Sequence, residues 1–101
     1  MIARMWHGRV PAVKTEAYRR YLEATGLPDY RATPGNRGVV VLERREGAVT
    51  HFLLVSYWDS KDAIRAFAGD DIESARYYPE DEEFLLELES HVVHYDVVAG
   101  P

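Results

Sequence analysis

Two unbroken apolar runs, Val39–Leu42 and Phe52–Val55, constrain this chain more than any other feature. Strands wet on one side alternate apolar and polar residues, whereas continuous aliphatic runs predict strands covered on both faces. The Glu46-Gly47 step between the runs predicts a hairpin. The remainder of the chain has to supply the cover. "IARMWHGRV" (2–10) suits another strand, closed by Pro11. "PAVKTEAYRRYLEATG" puts Val13, Ala17, Tyr18, Tyr21 and Leu22 on one apolar stripe of a helix that Gly26 stops. Pro28, Pro34, Gly35, Asn36 and Gly38 mark 27–38 as a turn-rich loop. Asp59 or Ser60 then caps a helix bearing Ala63, Ile64, Phe67 and Ala68, and a second short turn after Gly69 carries Ile72 and Ala75. Pro79 and the acids Glu80 to Glu83 suit a first helical turn that leads into a last strand over 89–98.

The resulting order, βαββαβ, is that of an α+β ferredoxin-like domain over residues 1–101, one antiparallel sheet with its helices on one face. A chain of 101 residues has nothing left for the other face, so the runs that demand double cover predict a homodimer.

Charge and residue usage exclude several partners. A formal net charge of −5 gives no attraction to nucleic acid or to anionic membrane surfaces, and neither is expected as a partner. Arg4, His7 and Arg9 interrupt the first segment, so a signal-peptide core is not expected there, and the absence of cysteine fits the cytoplasm. "TPGNRG" precedes a strand rather than following one, and Ser60 lies outside any Gly-x-Ser-x-Gly setting, so neither nucleotide binding nor acyl transfer has a motif. His91 and His94 would point to opposite faces of a strand, and no third ligand keeps them company. No metal and no cofactor are expected.

The stretch "SYWDSKDAIRAFAGDD" (56–71), a strand ending in Trp-x-Ser followed by a short helix, resembles the antibiotic biosynthesis monooxygenase (ABM) family of dimeric α+β barrels. Trp58, Ser60, Ala63 and Phe67 carry that resemblance. It implies a cofactor-independent monooxygenase acting on a small hydroxyaromatic molecule, polyketide- or quinol-like. The same superfamily includes haem-degrading enzymes, which use an Asn on the first strand, a Trp on the second helix and a His beyond it. His7, Phe67 and Tyr77 stand at those places here, so haem breakdown of that kind is not implied. A non-catalytic small-molecule or haem-binding protein is the alternative function.

The residues themselves nominate a site. An imidazole takes a proton near neutral pH, which makes His7 the candidate base, with a hydrogen-bonded structural histidine as the alternative. By strand period, Ala3, Met5 and His7 share one face and Ile2, Arg4 and Trp6 the other, and the reading turns His7 toward the helices. Tyr77, a second catalytic candidate, and Tyr78 lie in "SARYYPEDEEF" (74–84), which the resemblance places at the pocket. Trp58, Phe67 and Arg4 complete the substrate-binding candidates, although large aromatics at such positions are more often core. The acids that follow read as a solvated helix start. A His7 turned to the uncovered face would leave this stretch a connector.

Overall fold

The computed structural model describes all 101 residues. Four strands, β1 (Ile2–Pro11), β2 (Asn36–Glu46), β3 (Val49–Trp58) and β4 (Val93–Asp96), form one antiparallel sheet in the order β2-β3-β1-β4. Helices α1 (Thr15–Ala24), α2 (Gly26–Ala32), α3 (Lys61–Ala68) and α4 (Asp81–Phe84) complete the chain. This is the expected ferredoxin-like α+β arrangement, with β1 in the interior of the sheet. No helix is long and apolar enough to cross a membrane.

Local chemistry accounts for the element boundaries. Gly47, at φ +61°, takes the first of two turn positions between β2 and β3 while Ala48 keeps an ordinary negative φ, the pattern of a tight hairpin turn. Ser60 caps α3 by accepting from the Ala63 N–H at 3.1 Å. Three expectations need correction. Residues Ala12–Lys14 wind as a tighter three-residue turn before α1, which shifts the helical phase; Tyr18 and Leu22 are buried but Val13 and Ala17 face water. Gly26 opens α2 rather than ending the helical region, because Pro28 falls in its first turn, where a missing N–H leaves no bond unmade. The short turn expected after Gly69 forms at 72–73 without reaching Ala75, and Ser74 bridges His91; the last strand, expected over 89–98, is confined to Val93–Asp96.

Cross-strand register assigns every strand residue to a side. Arg4, Trp6, Ser56 and Leu54 lie opposite one another under the helices, in a core that also holds Val10, Tyr18, Phe52, Trp58, Ile64 and Phe67. On the other side stand Met5, His7, Leu53 and Val55, flanked by Val40 and Leu42 of β2 and by Val93 and Tyr95 of β4. Within one chain this face has no cover: Val40, Leu42, Val93 and Tyr95 are 45, 47, 52 and 57% exposed. Of the two runs, the open side therefore leaves Val40 and Leu42 half-exposed, whereas Val55, in the interior of the sheet, is buried.

Gly8 fixes the centre of the covered side. A Cβ at this position would stand 2.5 Å from Cη2 of Trp6 and 2.8 Å from Cδ2 of Leu85, so the indole can lie along its own strand only where no side chain intervenes. Gly8→Ala is expected to destabilise the fold by about 1–3 kcal/mol through this overpacking, read as a lower urea midpoint with unchanged slope.

Candidate functional site

Between the helices and the sheet lies a cleft lined mainly by Trp6, Tyr18, Leu22, Tyr30, Leu54 and Phe67, with Arg76, Tyr78 and Asp81 closing one side. Its unfilled interior is about 20 Å³, room for a single water. Aromatic packing shapes the floor. Tyr30 stacks on Phe67 with ring centroids 4.3 Å apart, and Trp58 backs Phe67 at 5.5 Å. The Tyr78 ring packs on the start of α2 at Gly26, where a Cβ would make ordinary van der Waals contact at 3.6 Å.

The polar wall comes from "RYYPED". Tyr78 precedes Pro79, and Asp81, three residues on, closes this turn twice: its Oδ2 accepts the Tyr78 N–H at 2.6 Å and its own N–H donates to the Tyr78 carbonyl at 3.0 Å. That local geometry turns the Asp81 side chain inward, where it is 3% exposed. Its Oδ1 accepts the Tyr18 hydroxyl at 3.2 Å. Burial pushes the Asp81 carboxyl above its ordinary value, and these two hydrogen bonds only partly oppose the shift. Tyr18 and Tyr78 are pushed up as well, chiefly by burial. Arg76 donates to the Phe67 carbonyl at 2.8 Å and to Asp29 Oδ2 at 3.1 Å, while its guanidinium lies 4.7 Å over the Phe67 ring. The Tyr78 hydroxyl donates to the same Asp29 oxygen at 2.7 Å.

Not all of the nominated residues meet here. Phe67 and Tyr78 line the cleft, whereas Trp58 is fully buried behind it. Tyr77 packs edge-on against Trp6 with ring centroids 6.1 Å apart, and its hydroxyl donates to the Glu89 carbonyl at 2.5 Å. Arg4 lies outside the cleft; it is 1% exposed under the helices and donates to the carbonyls of Ile72 and Ser74 and to Nε2 of His94. Burial holds His94 below its ordinary pKa, consistent with a neutral acceptor at Nε2.

His7 requires the largest correction. Arg4 and Trp6 take the helix side, so strand alternation turns His7 to the open face, away from the cleft and from both tyrosines. There its Nδ1 meets Glu89 Oε2 at 2.5 Å and its Nε2 meets His51 Nδ1 at 3.0 Å, beside an open hollow lined by Leu42, Arg44 and Leu53. The stretch 74–84 nevertheless walls the cleft, through Arg76, Tyr78 and Asp81 rather than through a pairing with His7. Asp81 hid in the sequence as one of four consecutive acids; its signal was the Tyr-Pro-x-Asp spacing, which turns one acid back toward the chain. Among His, Cys, Asp and Glu, no three side chains form a group that could hold a metal.

No protein-family model matches the chain, and no curated protein matches it in sequence. Solved structures do. MhuD, the haem-degrader of Mycobacterium tuberculosis, with two haems bound in its active site, is similar with a TM-score of 0.67 at 18% identity over 100% of this chain and 99% of that one. A MhuD mutant with two manganese protoporphyrin IX molecules per active site gives 0.68 at 18% identity, covering 100% and 98%. The chain shares the fold of MhuD. At this identity the likeness speaks for the fold alone.

The buried carboxyl makes stability depend on pH. A folded-state pKa raised above the ordinary 3.8 means that the folded chain holds the Asp81 proton more tightly than the unfolded one. That contribution is complete below the unfolded value and is lost as pH rises through the folded value. Asp81→Asn, which keeps an acceptor for the Tyr78 N–H, should therefore gain stability relative to the wild type between pH 4 and pH 7, measured as the difference in urea midpoints at each pH.

Proposed function

We propose that the chain binds a flat hydroxyaromatic molecule in the helix–sheet cleft and oxygenates it without a cofactor, as the ABM resemblance implies. The observation that carries the binding half is the cleft itself, aromatic on its floor and polar on one wall, the composition that small-molecule sites favour. Its narrow interior in the free protein calls for the wall at 76–81 to yield when a ring enters. The MhuD neighbours, which hold porphyrins in their active sites, support ligand binding in this fold. For an anthracenone ligand the reaction balances as follows: loss of the phenolic proton enriches the ring, the CH₂ carbon gives up both hydrogens and gains one oxygen atom, and the second atom of dioxygen leaves as water.

Haem is the alternative ligand, favoured by those neighbours, and the cleft offers it little. No imidazole lines it. Ligation by tyrosine needs a phenolate, yet burial pushes the Tyr77 hydroxyl up to about 12 and Tyr78 higher still. Two measurements separate the readings. Oxygen uptake by 1,8-dihydroxyanthracen-9-one should rise in proportion to added protein; uptake unaltered by protein would remove the oxygenase. Haem titration should leave the Soret band of free haem essentially unshifted, whereas a sharpened, displaced band that disappears with reductant and oxygen would favour the haem reading.

A homodimer belongs to the same proposal. Val40, Leu42, Val93 and Tyr95 make a contiguous apolar face that a second copy would bury, and its edges carry both signs of charge in Arg9, Arg44, Glu46 and Glu89. Light scattering at micromolar concentration should give twice the mass of the chain; a monomeric mass would sink this part.

A further inference from the structure

Within the reading of the cleft as a ligand site, we infer that Asp81 is its specificity-determining residue: it selects ligands that arrive neutral and offer an O–H donor, and it turns away ligands that arrive as anions. The helix start explains only half of this side chain. Oδ2 is used by the Tyr78 N–H at 2.6 Å, but Oδ1 has only the long 3.2 Å bond from Tyr18. A carboxylate presents about four acceptor sites, so a side chain that is 3% exposed keeps spare accepting capacity on a surface that lines the cleft. An acid needed merely to open a helix has no reason to be buried, since such acids work at the surface against the positive end of the helix.

Charge around the cleft points the same way. Arg76 is its cation, and Arg76 is already paired with Asp29 at 3.1 Å and bonded to the Phe67 carbonyl at 2.8 Å. Asp29 also takes the Tyr78 hydroxyl at 2.7 Å, so the cation of the cleft is paired with Asp29 rather than with Asp81. Asp81 is left without a cation, and a ligand carboxylate entering here would meet an uncompensated like charge in a poorly solvated place. A phenol meets the opposite situation. Its O–H donates to Oδ1, with the Tyr18 hydroxyl sharing or yielding that oxygen, while its ring lies against Trp6, Tyr30 and Phe67. In turnover the same contact becomes a transfer: the ligand O–H bond breaks, the proton passes to Asp81 Oδ1, and the electron pair stays on the ligand oxygen. Burial raises the basicity of this carboxylate and so favours the step.

Three probes of one ring system test this by calorimetric titration at pH 7: 1-naphthol, 1-methoxynaphthalene and 1-naphthoate. The wild type should bind naphthol roughly tenfold more tightly than the ether and at least tenfold more tightly than the naphthoate. In Asp81→Asn, checked for folding by its melting curve, the handicap of the naphthoate should shrink about fivefold or more. Equal affinities for the three probes in the wild type, or ratios unchanged by the substitution, would overturn the role of Asp81 while leaving the cleft a ligand site. Binding of none of them to the wild type would remove the cleft reading and this inference together. The wild-type ratios decide the matter even if the variant does not fold.

Discussion

Everything in this molecule that concerns a ligand hangs on the alternation of one strand. β1 is hydrogen-bonded to β3 on one side and to β4 on the other, so its residues cannot rotate between faces without breaking both ladders. Arg4, Trp6, Gly8 and Val10 thereby point under the helices, and Met5, His7 and Arg9 point away. From Arg4 the covered side gains two bonds to the carbonyls of Ile72 and Ser74, which dock the segment leading to the cleft wall. From Trp6, lying along Gly8, it gains a surface against which Tyr77 and Leu85 pack. The wall at 76–81 is thus held at both ends by a single strand, with Asp81 between the anchors.

The sequence carried the architecture because each element announces itself locally: apolar runs for β2 and β3, Gly47 for the hairpin, Ser60 for α3. Alternation along β1 was legible too, but not which side belongs to the helices. That choice depends on what the rest of the chain packs against, and both candidate faces of β1 hold large side chains, Trp6 on one and His7 with Met5 on the other. A buried arginine was the misleading feature, since guanidinium groups are seldom fully buried and Arg4 reads as a surface residue until its carbonyl partners are seen. Of the cleft, Phe67 and Tyr78 were visible as aromatics, while Asp81, Arg76, Tyr18 and Tyr30 emerge only when α1, α2 and the 76–81 segment come together. Tyr18 had been assigned to the core stripe of a helix, and it does serve there. Its hydroxyl, at the far end of the ring, is what brings it into the site.

Similarity to MhuD and the chemistry of this cleft pull in different directions, and the difference is physical. A fold fixes where a pocket forms, between helices and sheet, whereas the side chains fix what the pocket accepts. Here they offer stacked aromatic surface, an arginine already neutralised by Asp29, and a carboxyl without a cation. The proposed preference for a small neutral ring rests on that set. Trp6 Nε1 is buried without a partner in regular hydrogen-bond geometry, although the Tyr77 hydroxyl is close enough for the indole N–H to oppose part of that hydroxyl's upward shift.

The open face has a chemistry of its own, which accounts for His7 without the cleft. Glu89, His7, His51 and Glu46 form one chain of contacts at 2.5, 3.0 and 3.1 Å. The two ring centroids lie 5.2 Å apart; Nε2 of His7 faces Nδ1 of His51 across 3.0 Å, and the outer nitrogen of each ring faces a carboxylate. His51 and Arg44 together hold Glu46 below the ordinary carboxylate range, so the end of this chain on β2 stays ionised. A histidine committed in this way ties β1, β3, the end of β2 and residue 89 into one charged rim beside the apolar face. Such a rim orients whatever covers that face.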